Sequence, residues 1–463
     1  MKLKSYHLRR ITNVLLLILL LVYNLFLTTS VAQVQEEWVS RYDGPGNSND
    51  RALDIVVDNT GNVYVTGYSQ GSGTSNDYAT IKYDSTGVEQ WVARYNGPGN
   101  GDDSATAIAI DDVGNVYVTG TSEGLETLYD YATIKYDNTG VEQWVVRYNG
   151  PGTDMNYDMA HSMAIDKSGN VYVTGQSYGS GTDWDYATVK YSSTGTEEWI
   201  ARYSGLSYSY DSAEAIAVDD SGNVYVTGKA TELVHWDYTT VKYDNNGIDQ
   251  WVAIYTGPGD FDIPVSIIID KVGNFYVTGF SHNADFNYEY ATIKYNSDGE
   301  ELWCSRYCSS GDYSNVAYSM ALSNVGNIYV TGSGGGDYTT LKYNNAGIEQ
   351  WVATYDGPGN SSDEAFDITV DGRENVYVTG MSVALETHSD YATIKYNSAG
   401  TEEWIMRYNG IGNSGDIACA ITVDSKGSVY VTGGSSGLGT EEDYTTIKYS
   451  QPLSINRDIW MNY

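Results

Sequence analysis

The sequence predicts an all-β protein: a single eight-bladed β-propeller of four-stranded antiparallel blades, its ring closed by an N-terminal strand that completes the last blade. Three observations lead there. The segment GNVYVTG at 61–67 returns at 114–120, 169–175 and 222–228, then in close variants up to GSVYVTG at 427–433. Its closing glycines, from Gly67 to Gly433, lie 53, 55, 53, 51, 53, 48 and 53 residues apart, and a period near fifty marks a repeat architecture. Finally, a lone EEWVSRY (36–42) precedes the first full unit, while the last unit stops after DYTTIKY (443–449). Pairing these two ends closes the ring and leaves no sheet edge between first and last blades.

Each unit holds four strand-like segments. In the first, ALDIVVD (52–58) alternates, with Leu53, Ile55 and Val57 predicted on one face. NVYVTG follows a tight turn, then DYATIKY (77–83), and EQWVARY (89–95) after a second turn. The runs are short, rich in Val, Ile, Thr, Tyr and Trp, and bounded by Gly, Asn, Asp or Ser, which is strand-and-hairpin chemistry.

The start of the chain reads as a targeting segment. Lys2, Lys4, Arg9 and Arg10 precede an apolar run at 14–27, and small residues Ser30 and Ala32 end it. That is a secretory signal pattern over 1–32, with an uncleaved anchor as the alternative. The propeller is then expected over 33–450 with a short tail at 451–463, in a secreted or periplasmic protein that is not inserted in a membrane once cleaved. The formal net charge of −35 repels nucleic acid and anionic lipid. Cys304, Cys308 and Cys419 form neither a disulfide framework nor a zinc pattern, and packing explains them better.

The unit AIAIDDVGNVYVTG…DYATIKYDNTGVEQWVVRYNGPG resembles the SBBP repeat of bacterial β-propeller proteins, over residues 36 to 449. The resemblance implies a propeller fold and an exported location, and little about activity. The family name implies seven blades, whereas eight copies are written here. The TG…W hairpin is also similar, more weakly, to the tryptophan-docking hairpins of eight-bladed quinoprotein propellers, without residues that would seat a quinone and its metal.

Repetition separates scaffold from special positions. Four tyrosines per unit (Tyr64, Tyr78, Tyr83 and Tyr95 in the first) account for most of the 44 tyrosines and are expected between blades, hydroxyls on polar partners. Eight tryptophans, from Trp38 to Trp404, take one fourth-strand place and read as wedges between blades. Lys82 and its equivalents, and the acids from Asp77 to Asp443, are expected to pair across neighbouring blades. A second acidic ring comprises Asp50, Asp103, Asp158, Asp211, Asp262, Asp363 and Asp416, with Asn315 in the sixth unit. Converging carboxylates suit Ca²⁺; the plainer reading is that each caps its own turn through backbone N–H groups.

The short turns are uniform and the other two loops of each unit vary, so the variable face is the expected functional surface. There the third to fifth units carry Trp184, Tyr208, Tyr210, His235, Trp236, Phe286 and Tyr288, with Tyr157 and Phe261. Such aromatics suit stacking on a sugar or a protein hot spot, against self-packing of longer loops. No nucleophile elbow, phosphate loop or H-E-x-x-H occurs. The sequence therefore suggests a monomeric binding or adhesion scaffold for a protein or carbohydrate ligand, with no cofactor unless Ca²⁺. A polysaccharide-acting hydrolase or lyase, or a structural surface-assembly component, are the alternatives.

Overall fold

A computed structural model describes residues 34–152, 157–205, 209–231, 235–309, 314–385 and 388–451. The signal-like segment 1–32, Tyr208 and the tail from 452 lie outside them. The described chain forms eight antiparallel sheets of four strands each, and no helix among the described residues is long and apolar enough to cross a membrane. Blade one is Asp50–Val57, Val63–Gln70, Asn76–Tyr83 and Glu89–Tyr95. Blades two to seven occupy 103–148, 158–203, 212–255, 262–307, 315–355 and 363–408. Blade eight takes three strands from 416–450 and its fourth, Gln35–Tyr42, from the other end of the chain. Trp38 pairs with Lys448 and Tyr42 with Tyr444, which is the predicted closure. First strands of all neighbouring blades touch around the axis, so the blade count is eight, not the seven that the family name implies.

One expectation fails within the first strand. Ala52 faces Gly67 and Asp54 faces Thr66, so Leu53 is an extra residue in a β-bulge. The bulge recurs in every blade. It breaks the period of two, burying Asp50, Ala52 and Ile55 in place of Leu53, Ile55 and Val57. It also explains the last letter of VTG: a Cβ on Gly67 would run into the Arg51 carbonyl across the bulge.

The core lies between blades. Tyr64 and Tyr78 of blade one pack with Ala105, Ile108, Val116 and Val118 of blade two, and this cluster is repeated around the ring. Every Tyr78-type hydroxyl donates to a third-strand carbonyl of the next blade, at 3.0–3.4 Å, and the eighth, Tyr444, reaches Ala79 of blade one. Seven of the fourth-strand indoles donate to a turn carbonyl of the next blade at 3.0–3.3 Å. Their rings lie on turn glycines such as Gly87 (φ 84°), where a side chain would collide with Trp38. Trp404 is the exception: among the described residues its buried Nε1 has no partner, and blade eight draws its fourth strand from the N-terminus instead of through such a turn.

The expected lysine–acid pairs are also corrected. Lys82 caps the Asn138 carbonyl and lies over the Tyr64 ring. Asp77 instead pairs with Arg94 of its own blade at 2.8 Å. That guanidinium also donates to Ser69 and to Tyr42 of the preceding blade. Six blades repeat this staple; Ile254 and Thr354 stand at its place in blades four and six. An acid five residues from a lysine on a strand faces the opposite way, and the arginine one strand over is the nearer cation.

Candidate functional site

The two variable loops of each blade open on one face, and there the sequence-predicted aromatics meet. Two repeat positions supply them: the residue before the first-strand aspartate (Tyr157, Tyr210, Phe261) and the residue that opens the third strand (Tyr129, Trp184, Trp236). They alternate around the ring. Tyr129–Tyr157, Tyr157–Trp184, Trp184–Tyr210, Tyr210–Trp236 and Trp236–Phe261 have centroids 5.6, 6.0, 5.8, 6.0 and 5.4 Å apart. The result is an unbroken ledge of half-exposed rings from blade two to blade five. Backbone bonds fix it: the Asp211 N–H donates to the Trp184 carbonyl at 2.8 Å, and Tyr129 and Trp236 form parallel bridges with Tyr157 and Phe261.

His235 sits at the far end, 6.2 Å from Phe261 and 3.4 Å from Asp260. Tyr288 and Phe286 connect through His282, whose ring is 4.4 Å from Tyr288 and 6.2 Å from Phe286. His282 is buried, its pKa is lowered by burial, and its Nδ1 has no protein partner. Phe286 is 61% exposed at a positive φ of 63°. On blades six to eight and one the equivalent position carries Gly336, Ser389, Glu442 and Asn76, so the mouth has an aromatic half and a half without rings at this place.

Below the ledge lies a polar group that sequence reading missed. His161 and Glu214 are bulge residues, and a bulge re-aims its side chain. The His161 Nδ1 is 2.9 Å from the Ala213 carbonyl and 3.4 Å from a Glu214 oxygen; the other Glu214 oxygen is 3.7 Å from Lys229 Nζ. Burial opposes ionisation of Glu214, but His161 and Lys229 outweigh it and the pKa is lowered. Tyr210 donates to Gln176 at 2.8 Å. A signal for Gln176 and Lys229 exists in the sequence. The place after VTG carries Tyr68, Thr121, Gln176, Lys229, Phe280, Ser333, Met381 and Gly434, eight different residues inside a near-identical repeat.

The aspartate ring is arranged as loop staples. Asp50 accepts the Gly44 and Gln70 N–H groups at 2.5 and 2.9 Å, tying the incoming loop to the end of the second strand. Asp103, Asp211, Asp363 and Asp416 make the same two kinds of bond; Asp158 and Asp262 take the glycine N–H. Asn315 accepts from Ser309 in the same way. Burial raises the pKa of Asp50, Asp103, Asp211, Asp262 and Asp416, and takes Asp158 to about 6. Carboxylates gather within 4.8 Å at Asp43, Asp50 and Asp443 and at Asp337, Asp356 and Asp363. Among the described residues these are the two places with donors for a hard cation, and Arg41 already neutralises Asp443.

The comparisons fit this architecture. The Beta-propeller repeat profile, SBBP, matches residues 90–125, 143–181, 198–232 and 250–287. Each match starts in the fourth strand of one blade and ends after the second strand of the next. The chain is an SBBP-repeat β-propeller protein. Among solved structures it is similar to Sqt1 from Chaetomium thermophilum, at 8% identity and TM-score 0.56, covering 91% of this chain and all of that one. It is also similar to a protein from Lactobacillus plantarum, at 13% identity and TM-score 0.48, covering 75% and 95%. An ulvan lyase from a family of polysaccharide lyases matches at 14% identity and TM-score 0.44, covering 72% and 90%. At 8% identity the likeness to Sqt1 is one of fold. The comparison with curated proteins finds no match.

Proposed function

We propose that this SBBP-repeat propeller is an exported binding scaffold whose ligand lies along the aromatic ledge of blades two to five. The observation that carries the reading is the unbroken ring-to-ring series from Tyr129 to Phe261. A continuous curved ledge suits an extended chain, whether glycan or peptide, because aromatic faces give large contact area at small entropic cost. Export rests on the signal pattern at 1–32. The aspartate ring serves as staples in this reading, each aspartate accepting at least one backbone N–H group.

The test is binding of the purified protein to glycan and peptide arrays, in Ca²⁺ and in EDTA, beside Trp184→Ala and Trp236→Ala. The reading expects array signals that both variants lose and EDTA leaves unchanged. Signals retained by both variants would place binding elsewhere, and EDTA sensitivity would convert the aspartates from staples to cation ligands.

A second reading, a polysaccharide-acting hydrolase or lyase at the same mouth, draws on His161, Glu214 and Lys229 beside Tyr210. It expects glycan turnover that Glu214→Gln abolishes.

A further inference from the structure

The ledge already holds one cation of its own. Lys229 Nζ lies 5.2 Å from the Tyr210 ring centroid and 4.9 Å from that of Trp236, with a Glu214 oxygen at 3.7 Å. An ammonium lying over both rings of a tilted pair is attracted by both ring quadrupoles, and the carboxylate adds its charge. The three residues occupy repeat-equivalent places: before the first strand, opening the third, and after VTG. Blade three sets Tyr157 and Trp184 at the first two, 6.0 Å apart, and the neutral Gln176 at the third. Blade three thus repeats the pair of rings without the built-in ammonium.

Carboxylates accompany the rings. After burial, Asp102 and Glu123 are the largest causes of the raised pKa of Tyr129. Glu214 and Asp183 act in the same direction on Tyr210, and Asp260 stands 3.4 Å from His235. The whole chain carries a net charge of −35, which draws cations towards it.

We propose that the ledge binds lysine side chains of a basic peptide segment laid along blades two to four. The inference rests on the ledge being the binding surface. Lysine fits because the ammonium already in place ends a flexible four-carbon stem. The amine of an amino sugar is one bond from its ring and cannot stand over both aromatics while that ring lies flat on them. An extended peptide also places every fourth side chain about 13 Å apart on one side, close to the two steps of 6.0 and 5.8 Å that separate the equivalent rings Tyr157 and Tyr210.

The experiment is fluorescence-polarisation titration of the protein with labelled hexalysine, hexaglutamate, a glucosamine hexamer and an N-acetylglucosamine hexamer at physiological salt. Hexalysine is expected to bind and hexaglutamate not. Trp184→Ala and Trp236→Ala, which leave net charge unchanged, each weaken hexalysine about tenfold, while Trp236→Phe, which keeps a ring, stays within about threefold of wild type. Lys229→Met removes the ammonium from its place over Tyr210 and Trp236 and tightens hexalysine about fivefold. Lys167→Met removes the same charge from a side chain 80% exposed and paired with Asp220 on the opposite face, and has no such effect.

The proposal is overturned if the alanine variants bind hexalysine like wild type, which would mean diffuse attraction to an acidic surface. Lys229→Met behaving like Lys167→Met, or preference for the glucosamine hexamer, would overturn it too. Absence of hexalysine binding alongside array signals that Trp184→Ala and Trp236→Ala lose would remove the lysine inference and leave the binding surface standing. A blank array together with no hexalysine binding would remove both.

Discussion

The turn face and the loop face are made by the same eight repeats, yet they tolerate change very differently. On the turn face an aspartate (Asp58 in blade one) accepts N–H groups of its own turn, the Asn62 amide and the Tyr64 hydroxyl. Blade six has Ser323 there. The carboxylate is nevertheless restored, from the neighbouring blade. Glu374, at a φ of 64° where the other blades have glycine, reaches back to Asn327, Ser323 and Tyr329 at 2.6, 3.0 and 3.3 Å. Even the exception keeps the chemistry. On the loop face, one residue past VTG, all eight blades differ. The first pattern is what a shared scaffold requires; the second is what a site drawn from a few blades permits.

The largest effect should come from breaking the staple. Arg94→Ala strands Asp77 inside the blade and should cost about 2–4 kcal/mol in denaturant unfolding, discounted from about 3–5 kcal/mol for broken buried pairs because the guanidinium is partly exposed. Trp184→Ala on the ledge should cost under about 1.5 kcal/mol. If the ledge residue proves the more costly, the rings serve packing and the contrast between faces fails.

Glu374→Gly sharpens the turn-face side. It should cost about 1–3 kcal/mol by leaving Ser323, Asn327 and Tyr329 without their acceptor, and Ser323→Asp added to it should recover most of that loss. Two independent costs with no recovery would show that Glu374 is not a substitute for the missing aspartate.

The pH response follows from acids near the axis. Burial takes Asp54 to about 7 and Asp367 to about 6, although each accepts a backbone N–H of the next blade, from Ile108 and Ile421. A carboxyl whose folded pKa is raised is held protonated longer by the folded state. Its stabilisation is fully present below the unfolded pKa near 4 and is lost as pH rises to about 7. Melting temperature should therefore fall between pH 4 and 7. Asp54→Ala, the residue that blades two, four and eight use, should flatten that fall by about 1–2 kcal/mol, since Asp54 is only part-buried by exposed area. An unchanged slope would remove Asp54 from the account.

The smallest effect distinguishes the closure from the other interfaces. Trp91→Phe loses the bond to the Asn138 carbonyl and should cost about 1 kcal/mol. Trp404→Phe, whose N–H has no partner, should stay within about 0.5 kcal/mol of wild type.

Fold and closure were legible because repetition multiplies each weak strand signal by eight and the phase of the repeat exposes the missing strand. Trp184, Tyr210 and Trp236 were legible because tryptophan and tyrosine stand out from the loops around them. His161, Glu214 and Lys229 were not. A bulge hidden at Leu53 shifts the side-chain period, and a one-residue shift moves every later side chain to the other face. The arginine staple escaped for a related reason: Asp77 and Arg94 are distant in sequence and meet only through the pairing of third and fourth strands.

The most direct test of the central claim is hydrogen-exchange footprinting of the protein with its strongest array ligand. The account predicts new protection at 157–158, 184–186, 210–212 and 236–238 along the ledge, and none at the turns 111–115 and 166–170. Protection on the turns with an unprotected ledge would contradict it.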